Sequence, residues 1–167
     1  MRHPLSIKHC ALSIKHCALS IKHCALSIVI CCISCGQRPV YSHYEPTGAD
    51  GWMQHDSVSF QAAVADSADY TLTLGLRATN DYPYTHLKLV AHCRTARSAV
   101  DRHDTLTLAI TDAKGDMRGS GTTIFTYEQP LQPLTLFADD TLTVTVAHAM
   151  RNTLLPGITD IGLTVER

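Results

Sequence analysis

Apolar and polar residues alternate with period two over most of the chain beyond Asp56. Tyr70, Leu72, Leu74 and Leu76 fall on one side, against Thr71, Thr73 and Arg77. Leu106, Leu108 and Ile110 alternate with Thr105, Thr107 and Thr111, and Leu142, Val144 and Val146 with Thr141, Thr143 and Thr145. Ile161, Leu163 and Val165 close the series. Successive strand side chains point to opposite faces, so this pattern predicts strands with one buried face, and threonine suits the wet face. Weaker strands are predicted at 58–64, 87–93, 122–127 and 134–137.

Turn chemistry separates these segments. Asn80, Asp81, Tyr82 and Pro83 break one pair, and Asp112 to Asp116, with Gly115, reads as a hairpin turn. Asp139–Asp140 and Pro156–Gly157 are further breaks, and only 147–155 leaves room for a helical turn. About eight short strands and no long helix predict an all-β fold, a two-sheet antiparallel β-sandwich over 57–167.

The first 56 residues follow a different pattern. Leu-Ser-Ile-Lys-His-Cys-Ala occurs without change at 5–11, 12–18 and 19–25. A heptad seam needs apolar residues three and four apart. Lys8, Lys15 and Lys22 break it in every copy. The three His-Cys pairs are zinc-ligand types, but identical copies without turn residues make a poor cage. Residues 24–37 form an uncharged run after a head bearing Arg2 and the three lysines. The run is shorter than the roughly 20 residues of a spanning helix and fits a secretory leader. Ser34 before Cys35, with Ile33 ahead, reads as a lipoprotein cleavage site, although Cys32 is an unusual residue at its third position upstream. Residues 1–34 are thus expected to be a signal peptide, Cys35 the lipidated residue, and 35–56 a tether. Pro39, Pro46, Gly48 and Gly51 punctuate that tether between Tyr41, Tyr44 and Trp52.

Removing the leader changes the charge balance. Residues 35–167 carry 10 basic and 15 acidic side chains, a net charge of −5 where the whole chain has −1. They contain no basic run, which argues against nucleic acid as a partner. Five of the seven cysteines precede Cys35, so with Cys35 acylated only Cys93 remains and no intramolecular disulfide is possible. The core itself must then hold an extracytoplasmic fold.

Candidate chemistry is sparse. No phosphate-binding glycine loop or nucleophile elbow occurs, and Gly119–Gly121 lacks the lysine of the former. His43, His55, His86, His92, His103 and His148 show no His-x-His or Glu-x-x-His spacing, so no metal site is expected. The pairs His55–Asp56 and His103–Asp104 are adjacent, and adjacent strand residues face opposite ways. A hydrolase therefore lacks a marked nucleophile. Tyr82, Pro83 and Tyr84 form a candidate partner-contact loop; alternatively, the tyrosines staple a strand crossover. His148 and Arg151 could line a binding edge; alternatively, they mark a strand end with Met150 packed inward. A carbohydrate-binding sandwich would require exposed aromatics, with Trp52 and Tyr84 the candidates.

These residues also resemble a known family. Cys35, Val40–Tyr41, Gly51–Trp52, the run 77–84 (Arg, Ala, Thr, Asn, Asp, Tyr, Pro, Tyr), 122–125, His148 to Arg151 and the ending 157–163 match the gliding-motility lipoprotein GldH family of the Bacteroidetes, in order. The resemblance covers essentially all of 35–167; the repeated head departs from it, and the segment 128–140 is short for it. It implies a non-catalytic lipoprotein without a cofactor or small-molecule substrate, an accessory of gliding motility and type IX secretion. Its partners would be the membrane, through the lipid on Cys35, and other cell-envelope proteins. Gly36, Gln37, Arg38 and Pro39 carry no retention aspartate and no acidic export cluster, so the expected place is the outer membrane, facing the periplasm.

Overall fold

The computed structural model describes residues 39–167. The expectations for the leader, its repeat and Cys35 fall outside the described residues. Among the latter, the chain forms β1 (Tyr41–Pro46), β2 (Trp52–Met53), β3 (Val58–Val64), β4 (Ala68–Ala78), β5 (His86–Thr95) and β6 (Asp101–Ala109). It continues with β7 (Ser120–Gly121), β8 (Phe125–Pro130), β9 (Leu134–Leu136), β10 (Asp140–His148), β11 (Leu154–Leu155) and β12 (Ile158–Glu166). Eight of these run six residues or more, and all pairings are antiparallel.

The first sheet has the order β1-β12-β4-β8-β7, with β9 also paired to β4, and the second the order β3-β10-β5-β6. Each contributes one apolar face to a shared core. In the first, Leu72, Leu74 and Leu76 stand opposite Val165, Leu163 and Ile161. In the second, Val144 pairs with both Phe60 and Cys93, and Val146 with Ala91. All are buried, and they belong to one continuous cluster. Each such aliphatic side chain contributes roughly 1.5–3 kcal/mol through burial. This is the predicted antiparallel β-sandwich, produced by alternation in register across strands far apart in sequence.

Local outcomes differ from the sequence pattern in three places. Tyr41–Pro46, expected within the tether, is an edge strand of the first sheet, paired with β12 from Tyr41↔Val165 to Pro46↔Asp160. The strand expected at 122–127 lies three residues later, as Phe125–Pro130. The expected helical turn at 147–155 does not form. There β10 runs on to His148, Ala149 N–H bonds the carbonyl of Lys88, and Leu154–Leu155 pair with Met53 and Trp52. Ala149, Thr153, Leu154 and Leu155 thus commit backbone groups to distant partners rather than to a local helical turn.

Two glycines allow the first sheet its outer covering. Gly75 on β4 sits opposite Gly162 on β12, and Tyr44 of β1 is opposite Gly162. A Cβ on Gly162 would lie 2.6 Å from the Tyr44 ring, and one on Gly75 would collide with its hydroxyl. The ring therefore lies across bare backbone, with the Arg77 guanidinium 4.0 Å from its centroid. Packing of an aromatic over strand glycines covers backbone that side chains would otherwise protect.

Candidate functional site

The residues singled out from the sequence converge at one end of the sandwich. The crossover from β4 to β5, the segment between β1 and β3, and the segment between β10 and β12 meet there. Thr79 N–H bonds the carbonyl of Gly157, Gln54 N–H that of Thr153, and the Gln54 side-chain amide that of Met150. Gly157 has φ 76°, and a Cβ there would run into the backbone nitrogen of Tyr82. Only glycine permits that approach.

Within this end Trp52, Tyr82 and His148 face inward. Tyr82 is buried, its hydroxyl donating to the carbonyl of His86 at 2.9 Å. Burial, reinforced by neighbouring Tyr84, pushes its phenol well above the ordinary range. Tyr82 and Tyr84 meet edge to face with centroids 5.5 Å apart. Tyr82 thus closes the crossover, as the staple alternative expects, while Pro83 is exposed and Tyr84 half-buried. Trp52 is 0% exposed, with its indole N–H donating to the carbonyl of Asp56. That burial removes Trp52 from the carbohydrate reading, because it offers no ring face to a sugar.

His148 stands edge-on to Trp52, with centroids 5.3 Å apart. Met150 N–H reaches its Nδ1 at 3.4 Å, and its Nε2 is buried without a hydrogen-bond partner. Burial holds the imidazole below its usual pKa, opposed by the nearby Trp52 backbone. Met150 packs against the core. His148 therefore belongs to the interior of this end, whereas Arg151 is exposed. The outer surface is carried by Pro83, Tyr84, Arg151 and Leu154, the last 38% exposed. Leu154 carried no sequence signal, since a lone leucine after a polar turn does not reveal which way it faces.

The chain enters the sandwich at the other end. Tyr41 pairs with Val165, while Pro46 lies beside Asp160 and Ile158 beside Ala78. The six residues of β1 carry the chain roughly 20 Å along the sheet, from the entry point to the loop end.

A second constellation lies on the outer face of the other sheet. His92 on β5 is directly opposite His103 on β6, with rings stacked at 3.8 Å and 15°. Asp101 is two residues before His103, hence on the same face, and its Oδ1 lies 2.6 Å from His92 Nε2. The hydrogen bond to His92 is the leading cause of a lowered Asp101 pKa, with His103 and Arg94 adding to it. Ligand atoms of His92, Asp101 and His103 all lie within 4.8 Å of one another, so among the described residues this group could hold a metal ion. Spacing along the chain does not reveal this group, because the histidine pair is made by cross-strand register. The available clue was Asp101-x-His103, two ligand types on one strand face.

Other titratable groups are structural. Asp140 is 1% exposed and accepts hydrogen bonds from the backbone N–H groups of Ala96, Arg97, Ser98 and Thr141 and from the Ser98 hydroxyl. Burial alone would raise its pKa; these donors override it and bring it to about 2. Arg102 bonds Asp104 at 2.8 Å and the carbonyl of Gln132 at 2.9 Å, tying β6 to the segment before β9. Cys93 is fully buried, and that burial pushes its thiol pKa up. A polar cleft of about 450 Å³ opens between β6 and the β7–β8 edge, lined by Thr107, Arg118, Ser120, Thr126 and Glu128 among others.

Known proteins supply the remaining observations. Against the chain, a protein from Flavobacterium johnsoniae named gliding motility lipoprotein GldH is 27% identical, over 81% of this chain and 89% of its own length. A GldH homolog from Christiangramia forsetii is 28% identical, over 80% of this chain and 87% of its own. Among solved structures, a family GH115 glucuronidase superposes on 80% of this chain and 18% of its own, with 9% identity and a TM-score of 0.42. The family model described as GldH lipoprotein matches residues 39–165. That match spans nearly the whole sandwich, from the approach to β1 to the end of β12, and the chain belongs to the GldH lipoprotein family.

Proposed function

We propose that this protein is a lipid-anchored, non-catalytic accessory of gliding motility and the associated protein secretion machinery. Cys35 carries the lipid, and the sandwich sits on the periplasmic side of the outer membrane. The observation that carries the reading is the family match over 39–165, which begins four residues after Cys35, together with relatives named for gliding motility. Two or more acyl chains hold a domain at a membrane stably, where one does not.

The arrangement of the sandwich supports a division of labour. The chain enters at one end, and Pro83, Tyr84, Arg151 and Leu154 lie at the other. A domain anchored through residues before β1 then holds that surface away from the lipid. Arginine and tyrosine, both present at this end as Arg151 and Tyr84, are residue types enriched at protein contacts. Tyr82 and His148 support this surface from beneath. The histidine–carboxylate pairs His43–Glu45 and His55–Asp56 are open to solvent, and among the described residues no hydroxyl is bonded to them.

Labelled palmitate fed to cells producing the wild type and Cys35→Ala tests the anchor. Label is expected only in the wild type, and persistent label in Cys35→Ala would sink the assignment. Complementation of a deletion strain tests the contact surface. Tyr84→Ala combined with Arg151→Ala is expected to fold, reach the membrane and leave gliding and secretion impaired. Full gliding with this variant at normal abundance would remove the loop end from the mechanism.

A further inference from the structure

We propose that His92, Asp101 and His103 form a surface site for a divalent first-row transition metal, with Zn2+ as the probe ion. Two imidazoles and a carboxylate are a nitrogen-rich donor set, which favours zinc, nickel or copper over the oxygen-seeking magnesium and calcium. A tetrahedral zinc site places donors about 2.0–2.1 Å from the ion, hence roughly 3.3 Å from one another. Here the donors already lie within 4.8 Å of each other, and the closest pair is 2.6 Å apart. Because each imidazole lone pair lies in its ring plane, metal binding turns the rings out of their near-parallel stack and parts Asp101 from His92, so that the three atoms face one centre.

The backbone beneath these donors is fixed. His92 and His103 are opposite each other in a ladder that runs from His86↔Ala109 to Arg94↔Asp101, and His92 is also opposite Thr145 on β10. The ligands therefore stand on paired strands. The His92 side chain is 27% exposed and that of Asp101 70%, so an ion can enter and water can complete its coordination. Arg94 faces outward opposite Asp101 and places a positive charge near the carboxylate, whose hydrogen-bond partner is His92. The bound ion would clamp edge strand β6 onto β5. This site is independent of the loop end and of the proposed motility role.

The test is Zn2+ titration of the purified full chain against a chromophoric chelator, in parallel with thermal unfolding. His92→Gln, His103→Gln and Asp101→Asn are compared with the wild type and with His86→Gln, an exposed histidine outside the cluster. The His-Cys pairs at 9–24 are present in every protein and cancel in the comparison. Losing even an orienting partner of a ligand costs about 10–100-fold in affinity, so each ligand variant should lose at least about tenfold at one site. Zinc should raise the unfolding midpoint of the wild type and of His86→Gln, but not of the ligand variants, because an ion that binds only the native state stabilises it. Equal zinc uptake in wild type, His92→Gln and His103→Gln overturns the proposal. So does loss of binding in His86→Gln equal to that in the ligand variants, or a wild-type midpoint unmoved by zinc.

Discussion

Two histidine environments of this sandwich are opposites. His148 lies inside the loop end, against Trp52, with Nε2 buried and unpartnered. His92 and His103 lie on the outer face of the second sheet, stacked on each other and bonded through His92 to Asp101. The first is held neutral by its surroundings and contributes shape. The second pair lies at the surface and offers donor atoms to the proposed metal site. The same side chain is thus packing in one region and chemistry in the other, and the local sequence distinguishes the two poorly. Asp140 sharpens the contrast: it is as buried as His148, yet hydrogen-bond donors surround its carboxylate.

The sharpest way to break the loop end is Trp52→Ala. Removing a fully buried tryptophan is expected to cost about 3–5 kcal/mol. Urea unfolding followed by circular dichroism measures it, and a loss under about 1 kcal/mol would mean the end is not packed as described. Next is Asp140→Asn, which keeps the shape but removes the charge. Hydrogen bonds to a charged group contribute about 1.5–3 kcal/mol, so a loss of about 2 kcal/mol at neutral pH is expected by the same assay. The wild-type carboxyl titrates lower in the folded state than its unfolded value of about 3.9. Its contribution is present above pH about 4 and lost as pH falls toward about 2; Asp140→Asn should flatten that acid limb.

His148 gives the opposite titration signature. Its folded-state pKa is depressed, so its neutral form is favoured in the native protein. Stability is retained above the unfolded imidazole value of about 6.5 and declines as pH falls below it. Unfolding midpoints between pH 7.5 and 5 should fall less in His148→Gln than in the wild type, and parallel curves would show that His148 is not the titrating group. Tyr82→Phe removes only the bond to the His86 carbonyl and is expected to cost about 1 kcal/mol, with the crossover retained. The smallest effect is expected at the second histidine environment. Without metal, His103→Gln should change stability by no more than about 0.5 kcal/mol, as for an ordinary surface position. A loss comparable to Tyr82→Phe would make the stacked pair structural.

Much of the strand inventory was legible because a half-buried strand must alternate. The segments around Leu72, Leu108, Val144 and Leu163 are strands where that alternation placed them. β1 was not legible: an edge strand with a burial pattern of mixed half-buried and exposed residues carries no alternation, and only its pairing with β12 makes it a strand. The segment 147–155 failed for a related reason, since its backbone partners are Lys88, Met53 and Trp52. At the loop end, the sequence singled out Tyr82, Pro83, Tyr84, His148 and Arg151 but not which of them point outward. The histidine pair was invisible, because eleven positions separate His92 from His103.

By itself, then, the sequence determined a chain of alternating strands and, after Cys35, an acidic composition with a single further cysteine. Composition and period are properties of neighbouring residues, and a buried sheet face imposes them strand by strand. Tertiary structure decided which aromatic is core and which is surface, that Tyr44 lies across Gly75 and Gly162, and that His92 meets His103 and Asp101. Those outcomes depend on register between strands distant in the chain. A shift of one residue turns every side chain of a strand to the other face, and no local pattern around a single histidine or tyrosine records that choice.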